Sequence, residues 1–294
     1  MDTALLDQLK NAGRKSVHLC YHLILEKFQR IFEKEKGKQL FAESHPPLVK
    51  LVNFNDVRFG IYIPTHGVIE DHILQHGNWS GDLLQLTDYF VTPNSTIIEV
   101  GANIGFESLY YARKYPDCLI YSYEPGSYAY DTLLRSKAYN HLDNLRVFKL
   151  AVGERSGSME IAAPTASSKN KGLGSLNANQ DLDDSYVKEQ IEIVTLDSHC
   201  TSDQRVSVLK IDTQGFEWNV LQGATALIGK HRPVILFEHE DHYHKNALQM
   251  RRQMGDFFDR RSYDLYIPTG ELLRSFDFRN IAHFHGDVIA LPKK

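Results

Sequence analysis

The 294-residue chain has few cysteines, no long hydrophobic run and no large excess of either charge. Cys20, Cys118 and Cys200 are too few and too scattered for a disulfide framework or for the CxxC spacing of zinc and redox sites. Lys plus Arg number 33 against 37 Asp plus Glu, a net charge of -4, which gives no global field for gripping nucleic-acid phosphates. We therefore expect a cytoplasmic protein that does not bind nucleic acid.

The first residues, "MDTALLDQLKNAGRK", contain no early apolar core, so we expect no signal peptide. The apolar patch "VHLCYHLIL" at 17 to 25 is far shorter than a transmembrane span. Apolar residues recur with helical spacing from Val17 to Ile31, which predicts an amphipathic helix. We expect this helix to pack on the domain or to form a homodimer, with binding to a membrane surface as the alternative.

Residues 51 to 63, "LVNFNDVRFGIYI", alternate around Asn55 and Asp56 and predict a hairpin. We therefore assign residues 1 to 80 to a helix-and-hairpin extension and 81 to 294 to the main domain. From residue 96, short apolar runs alternate with helical stretches, including predicted helices at 215 to 229 and near 245 to 258, which indicates an α/β fold with a parallel sheet. Residues 153 to 205 interrupt the alternation and predict an inserted hairpin with a long loop.

The stretch "TIIEVGANIGFES" at 96 to 108 is a strand followed by a small-residue turn, the position where open parallel sheets bind ligands. A dinucleotide fingerprint needs glycine at the third and sixth positions from Gly101, where this chain has Asn103 and Phe106. The acidic-x-Gly-x-Gly-x-Gly loop of S-adenosylmethionine (SAM) dependent methyltransferases fits better, with Glu99 accepting backbone N–H bonds. A turn that only joins strand to helix is the alternative.

Charged side chains at the ends of later strands predict further residues of the ligand-binding site. Glu124 ends "CLIYSYEP", where a carboxylate is needed for ribose hydroxyls. Lys210 and Asp212 end the strand "VSVLKID", as a catalytic or metal-binding pair or as a plain ion pair. Glu238 and His239 follow in "PVILFEHEDHYH" as a general base or metal ligands, so that Asp212, Glu238 and His239 are the candidates for a divalent metal.

The motifs "VGANIG", "YSYEP", "VLKIDTQGFEWNVLQGA" and "RPVILFEHE", in this order, resemble the FkbM-type SAM-dependent methyltransferases over roughly residues 77 to 291. The resemblance implies a Rossmann-like class I methyltransferase fold, with a mostly parallel seven-stranded sheet and helices on both faces. It also implies SAM as cofactor and O-methylation of a hydroxyl on a sugar, glycolipid, polysaccharide or secondary metabolite.

Carried onto this sequence, the resemblance implies a cofactor loop, a ribose ligand, two adenine-site residues and a second signature. The cofactor loop comprises Glu99, Gly101, Ala102, Asn103 and Gly105, and the ribose ligand is Glu124. The adenine-site residues are Asn140 and Ala151, and the second signature contains Lys210, Asp212 and Glu217. Gln214 stands where a Glu is frequent, and Ser80 where a Glu is common after Trp79. We expect Asp212 with His239 or Glu238 to handle the acceptor proton.

Two other functions compete with this prediction. A nicotinamide-dependent oxidoreductase is disfavoured by Asn103 and Phe106. A catalytically silent SAM-binding scaffold is disfavoured by the charged strand ends at Lys210 and Asp212. The acceptor is not identified by the sequence, because acceptor pockets on such folds are built by variable insertions.

Overall fold

The computed structural model describes residues 48–168, 185–200, 202–269 and 272–293. These residues belong to one compact unit that begins at residue 47. The predicted N-terminal helix and residues 169 to 184 of the predicted insertion lie outside the described residues, so the boundary at residue 80 and the homodimer stay predictions. Within the described ranges, no helix is long and apolar enough to cross a membrane.

The described chain begins with the predicted hairpin, formed by β1 (Leu48–Phe54) and β2 (Val57–Ile63). Asn55 and Asp56 connect the strands with φ angles of 48° and 61°. Two consecutive positive φ angles are the signature of a type I′ turn, which Asn and Asp adopt more readily than most residues. Two helices follow, α1 (Val68–His76) and α2 (Gly81–Asp88).

The remaining elements alternate between strand and helix, apart from one inserted hairpin. In chain order they are β3 (Thr96–Val100), α3 (Phe106–Lys114), β4 (Leu119–Tyr123), α4 (Ser127–Asn140), β5 (Leu145–Phe148), β6 (Ala151–Val152), β7 (Gly157–Pro164), β8 (Tyr186–Val194), α5 (Leu196–His199), β9 (Val206–Ile211), α6 (Glu217–Gln222), α7 (Thr225–His231), β10 (Val234–Glu240), a 3-10 turn (Asp241–Tyr243), α8 (Ala247–Arg260), β11 (Tyr263–Thr269), β12 (Leu272–Ser275) and β13 (His285–Pro292).

The central sheet has the strand order β12-β11-β13-β10-β9-β3-β4-β5. The strands from β10 to β5 in this order are parallel to their neighbours, while β13 is antiparallel to both β10 and β11. The predicted α/β class is confirmed. The expected count of seven strands is wrong by one, because β12 pairs with β11 as an additional edge strand.

Both faces of this sheet are covered, which explains why β3 is buried throughout. Ile97 belongs to a core with the hairpin and helices α3 and α4, whereas Ile98 belongs to a core with α6, α7 and α8. Successive residues of a strand point to opposite faces, so a run of apolar residues without polar alternation supplies both cores. The carboxyl ends of β3, β4, β9 and β10 therefore meet at one edge, between the two helical layers.

The segment between β5 and β9 forms a separate three-stranded sheet in the order β6-β8-β7. Its antiparallel β7 and β8 are the hairpin expected within residues 153 to 205. The single helix predicted at 215 to 229 is instead two helices, α6 and α7. The chain bends at Gly223, where a Cβ would lie 1.9 Å from the Gly153 carbonyl oxygen, so close backbone contact with the insertion interrupts the helix.

Candidate active site

The turn between β3 and α3 holds three residues in the left-handed region: Gly101 and Gly105 at φ 86° and Asn103 at φ 50°. A Cβ on Gly101 would lie 1.8 Å from the Asp212 carbonyl oxygen, so glycine is required there. Asn tolerates this conformation, and the Asn103 side-chain oxygen accepts the Ile104 N–H at 2.7 Å. The substitution of Asn for glycine at 103 thus preserves the shape of the loop.

Glu124, at the end of β4, connects this turn to the next loop. One of its carboxylate oxygens accepts the Asn103 N–H at 2.9 Å, and the other accepts the Gly126 N–H at 2.9 Å. Burial raises the pKa of Glu124 to about 7, although both backbone donors lower it. These two hydrogen bonds hold the Glu124 carboxylate in one orientation at the carboxyl end of the parallel strands.

An apolar cavity of about 100 Å³ opens beside Glu124. Its walls come from the ends of β3 and β4, the start of α4, the β5–β6 connection, β7 and the loop after β9. The lining residues are Val100, Gly101, Asn103, Tyr123, Glu124, Pro125, Gly126, Tyr128, Ala129, Leu150, Ala151, Val152, Ile161, Pro164, Asp212, Thr213, Gln214 and Phe216.

An acidic cavity of about 290 Å³ lies next to it and shares five lining residues with it: Gly101, Asn103, Glu124, Asp212 and Gln214. One wall consists of apolar and aromatic residues from α1, α2 and their connection, including Ile69, Trp79 and Leu83. The opposite side carries most of the charge. The charged lining residues are Glu99, Glu107, Glu124, Lys210, Asp212, Glu238 and Asp287.

Lys210 neutralises part of this charge. Its Nζ lies 2.8 Å from Glu107 Oε1 and 3.5 Å from Asp212 Oδ2, and Glu99 is its register partner on β3. Burial opposes the charge on Lys210, but Glu107, Asp212 and Glu99 together raise its pKa well above the ordinary value. Lys210 is therefore a fixed cation and not a proton acceptor.

Glu99 faces the same charge cluster. Its carboxylate accepts a hydrogen bond from the Ser108 hydroxyl on α3, so the expected backbone N–H bonds are replaced by a side-chain donor. Burial and the neighbouring Glu107 raise the pKa of Glu99 to about 8, although Lys210 lowers it. The cavity thus holds more carboxyl groups than Lys210 alone neutralises, and a cationic ligand would be stabilised there.

Asp212 and Glu238 are joined by the side chain of Gln214. The Gln214 amide nitrogen lies 3.0 Å from Asp212 Oδ1 and 3.0 Å from Glu238 Oε2. Burial, with Asp212, Asp287 and Glu240 nearby, raises the pKa of Glu238 to about 8. The predicted pairing of Asp212 with Glu238 is therefore present in the structure, through an intermediate that the sequence did not identify.

Glu217 orders the loop that carries these groups. Its Oε1 accepts the Thr213 and Gly215 N–H groups at 3.0 Å each and the Thr213 hydroxyl at 3.1 Å. These contacts lower the pKa of Glu217, but burial raises it more. Glu217 therefore belongs to the scaffold of the loop and not to the cavity wall.

Two sequence-predicted site residues lie elsewhere. Asn140, in the last turn of α4, donates to the carbonyl oxygens of Gly60 and Ser136 and accepts the Gly60 N–H at 2.8 Å, so it anchors the hairpin to α4 and lines neither cavity. His239 follows Glu238 on β10 and faces the opposite side of the sheet, since adjacent strand residues alternate. It stacks on His244 at 5.0 Å, and burial lowers its pKa to about 4.

The other predicted cofactor residues are brought together. Ala102 lines the acidic cavity and Ala151 the apolar one. Because His239 is separated from Asp212 and Glu238, the three candidate metal ligands do not converge. Across the described residues, no group of three or more His, Cys, Asp or Glu side chains is arranged to hold a metal ion.

Sequence reasoning missed Glu107, Tyr243 and Asp287. Asp287 is the register partner of Glu238 on the antiparallel strand β13, and local sequence patterns do not predict this pairing. Glu107 is the second residue of α3, where the helix dipole alone favours an acidic residue. Tyr243 lies within the quoted stretch "EDHYH", but its partner is 29 positions away.

Comparisons with known proteins match this chain to methyltransferases. A family model described as a methyltransferase FkbM domain matches residues 99–265. "Methyltransferase 1" of Beauveria bassiana is 26% identical over 155 residues, which are 46% of this chain and 61% of that protein. "Methyltransferase sdnD" of Sordaria araneosa is 28% identical over 156 residues, which are 44% of this chain and 60% of that protein. The chain thus spans less than two thirds of either relative.

A crystal structure of methyltransferase FkbM from Methylobacillus flagellatus KT also resembles this fold. The match has 16% sequence identity and a TM-score of 0.43, and it covers 67% of this chain and 43% of that chain.

Proposed function

Starting from the fact that the chain belongs to the FkbM methyltransferase family, we propose that it transfers a methyl group from SAM to a hydroxyl group. The acceptor is a sugar, glycolipid, polysaccharide or secondary metabolite. The observation that carries the proposal is the pair of adjoining cavities, one apolar and one acidic, which share Glu124 and Asp212. A bisubstrate reaction needs two binding spaces that meet where the groups react.

The residues present fit SAM. The apolar cavity offers a slot for adenine between Ala151 and the start of α4, with Glu124 to accept the ribose hydroxyls. The carboxyl groups of the acidic cavity suit the ammonium and sulfonium charges of the methionine portion. Asn140 has no part in this assignment, because its amide is fully engaged with the hairpin and its own helix.

When bound, SAM supplies a methyl group on a positively charged sulfur, and that sulfur keeps the electron pair of the broken bond when an acceptor oxygen forms the new one. The protein must then align the acceptor and remove its proton. Alignment contributes about 7 to 11 kcal/mol, and a general base about 10²- to 10⁴-fold in rate. Positioning by the cavity walls therefore accounts for most of the expected acceleration.

Asp212 and Glu238 divide the work on the acceptor hydroxyl. Asp212 lines both cavities and is held by Lys210 and Gln214, so it is the fixed anion that orients the hydroxyl. Glu238 lines only the acidic cavity, and burial with its acidic neighbours raises its pKa to about 8, which favours proton uptake by this carboxylate. The proton passes from the acceptor oxygen to the Glu238 carboxylate.

Calorimetric titration with S-adenosylhomocysteine and with NADH tests the cofactor. We expect tight binding of the first alone, weakened in Glu124→Ala and unchanged in Glu154→Ala, since residue 154 lies outside both cavities. Tight NADH binding would favour the oxidoreductase alternative. Labelled-methyl transfer into fractionated polysaccharide, lipid and small-metabolite pools, with and without chelator, then identifies the acceptor class, and an absence of transfer into every pool would favour the scaffold.

The compartment belongs to the same proposal. Cys118 and Cys200 carry free thiols in the described part of the chain. Reduced thiols are typical of cytoplasmic proteins, and we place the reaction in the cytoplasm.

A further inference from the structure

The Gln214 side chain sits between two carboxylates and one phenol. Its Nε2 is 3.0 Å from an oxygen of Asp212 and 3.0 Å from an oxygen of Glu238, while its Oε1 meets the Tyr243 hydroxyl. An ionised carboxylate only accepts hydrogen bonds, and a protonated carboxyl group keeps one accepting oxygen, so the amide turns its two N–H donors toward the acids. Its oxygen then faces Tyr243, which therefore donates.

The loop is shaped to allow this arrangement. Gln214 adopts φ 54° and Gly215 adopts φ 99°. A Cβ on Gly215 would lie 2.7 Å from Tyr243 Cβ, so glycine lets the tyrosine pack directly on the loop backbone. Glu217 holds the same loop from the other side through the Thr213 and Gly215 N–H groups.

Tyr243 is a reliable donor near neutral pH. Burial and the neighbouring Glu238, Glu240, Glu217 and Asp212 raise its pKa to about 12, so the phenol keeps its proton. A donor on the amide oxygen polarises the amide and strengthens its N–H bonds to the carboxylates. The four side chains thus form one chain of hydrogen bonds from the 3-10 turn to the cavity.

We propose that Gln214, held by Tyr243, is the positioning residue that keeps Asp212 and Glu238 as a single hydrogen-bonded pair for the acceptor proton. This inference rests on the proposed function of the same site. Gln214 thus places a neutral double donor between the two carboxylates.

The consequence is a specific effect on proton affinity. The two N–H bonds from Gln214 stabilise the ionised pair and lower its apparent pKa, as does the cation Lys210. The neighbouring carboxyl groups of Asp287, Glu240 and Glu217 raise the pKa. Gln214→Glu keeps the shape but removes the donors, so the pair should hold its proton to higher pH. Tyr243→Phe keeps the amide but removes its anchor, so the same shift should be smaller.

The test is the pH dependence of methyl transfer in wild type, Gln214→Glu, Tyr243→Phe and the control Tyr89→Phe, whose side chain is 80% exposed. At pH 7 we expect a loss of about 100-fold for Gln214→Glu and about fivefold for Tyr243→Phe, with recovery as pH rises and no change in the control. Losses of activity that are equal at every pH, with no change in the apparent pKa of the pH profile, would overturn the inference.

A second measurement does not depend on the acceptor. The side-chain ¹⁵N amide resonance of Gln214, assigned by its loss in Gln214→Glu, should titrate with the carboxyl pair, and its midpoint should move upward in Tyr243→Phe. A resonance that does not titrate, or an unmoved midpoint, refutes the positioning role even if methyl transfer is found. An absence of methyl transfer in wild type would instead count against the proposed function.

Discussion

Replacing Lys210 with Met removes the cation that the buried carboxyl groups share. The Lys210–Glu107 pair has a distance of 2.8 Å, and its side chains are only 8% and 4% exposed. Removing one partner of such a pair leaves an uncompensated buried charge and costs about 3 to 5 kcal/mol of unfolding free energy near neutral pH. The loss should shrink toward acidic pH, because the Glu107 carboxylate takes up a proton there and no longer needs a counter-ion.

The surface provides a matched control. Lys188 and Glu160 have nearly the same separation, 2.9 Å, but their side chains are 54% and 37% exposed. Solvent screens such a pair, so Lys188→Met should cost less than about 1 kcal/mol. The difference between the two lysine variants therefore measures burial and not distance.

Urea unfolding of both variants and of Lys210→Met/Glu107→Gln measures these values. The double variant should recover most of the loss, because it removes both members of the pair. A cost below about 1 kcal/mol for Lys210→Met, or no recovery in the double variant, would refute the view that Lys210 is a structural counter-ion.

Three further outcomes follow from the geometry. Gly101→Ala places a Cβ 1.8 Å from a backbone oxygen, so calorimetry should show loss of S-adenosylhomocysteine binding, whereas Gly229→Ala, with no atom within 4 Å, should bind normally. Asn140→Ala should lower the unfolding free energy by about 1 to 3 kcal/mol in urea without changing that affinity; a large loss of affinity would restore its adenine role. Because the pKa of Glu99 is raised, only the folded state holds the Glu99 proton between pH 6.5 and 8. The lowered pKa of His239 has the opposite effect on stability, but only below this pH range. Thermal stability of the ligand-free protein should therefore fall with rising pH, by about 1.4 kcal/mol per pH unit for Glu99, and a rise would contradict the assignment.

Local sequence patterns predicted the parts of the fold that depend on local chemistry. The hairpin turn at Asn55 and Asp56 and the glycine turn after β3 were visible because their backbone conformations demand particular residue types. The parallel sheet was visible from the alternation of apolar runs and helices. The eighth strand was not, since β12 is a four-residue edge strand with three exposed side chains and carries little apolar signal.

The site was predictable only as far as each residue could be placed at a strand end. Asp212 and Glu238 were identified in this way, and the structure brings them together through Gln214. His239 was misplaced because a one-residue step along β10 moves a side chain to the other face. Tyr243 was missed because its hydrogen bond to Gln214 spans 29 residues, a contact that only the tertiary fold creates.

The decisive measurement is methyl transfer from labelled SAM by wild type and Asp212→Asn, paired with the affinity of each for S-adenosylhomocysteine. Wild type is expected to label one acceptor pool, and the variant is expected to lose at least about 100-fold in turnover. Asp212 lines both cavities, but S-adenosylhomocysteine lacks the sulfonium charge, so its affinity should change much less than turnover. Full turnover by Asp212→Asn with unchanged affinity would contradict the role given to this residue, and no transfer by wild type would contradict the proposed function.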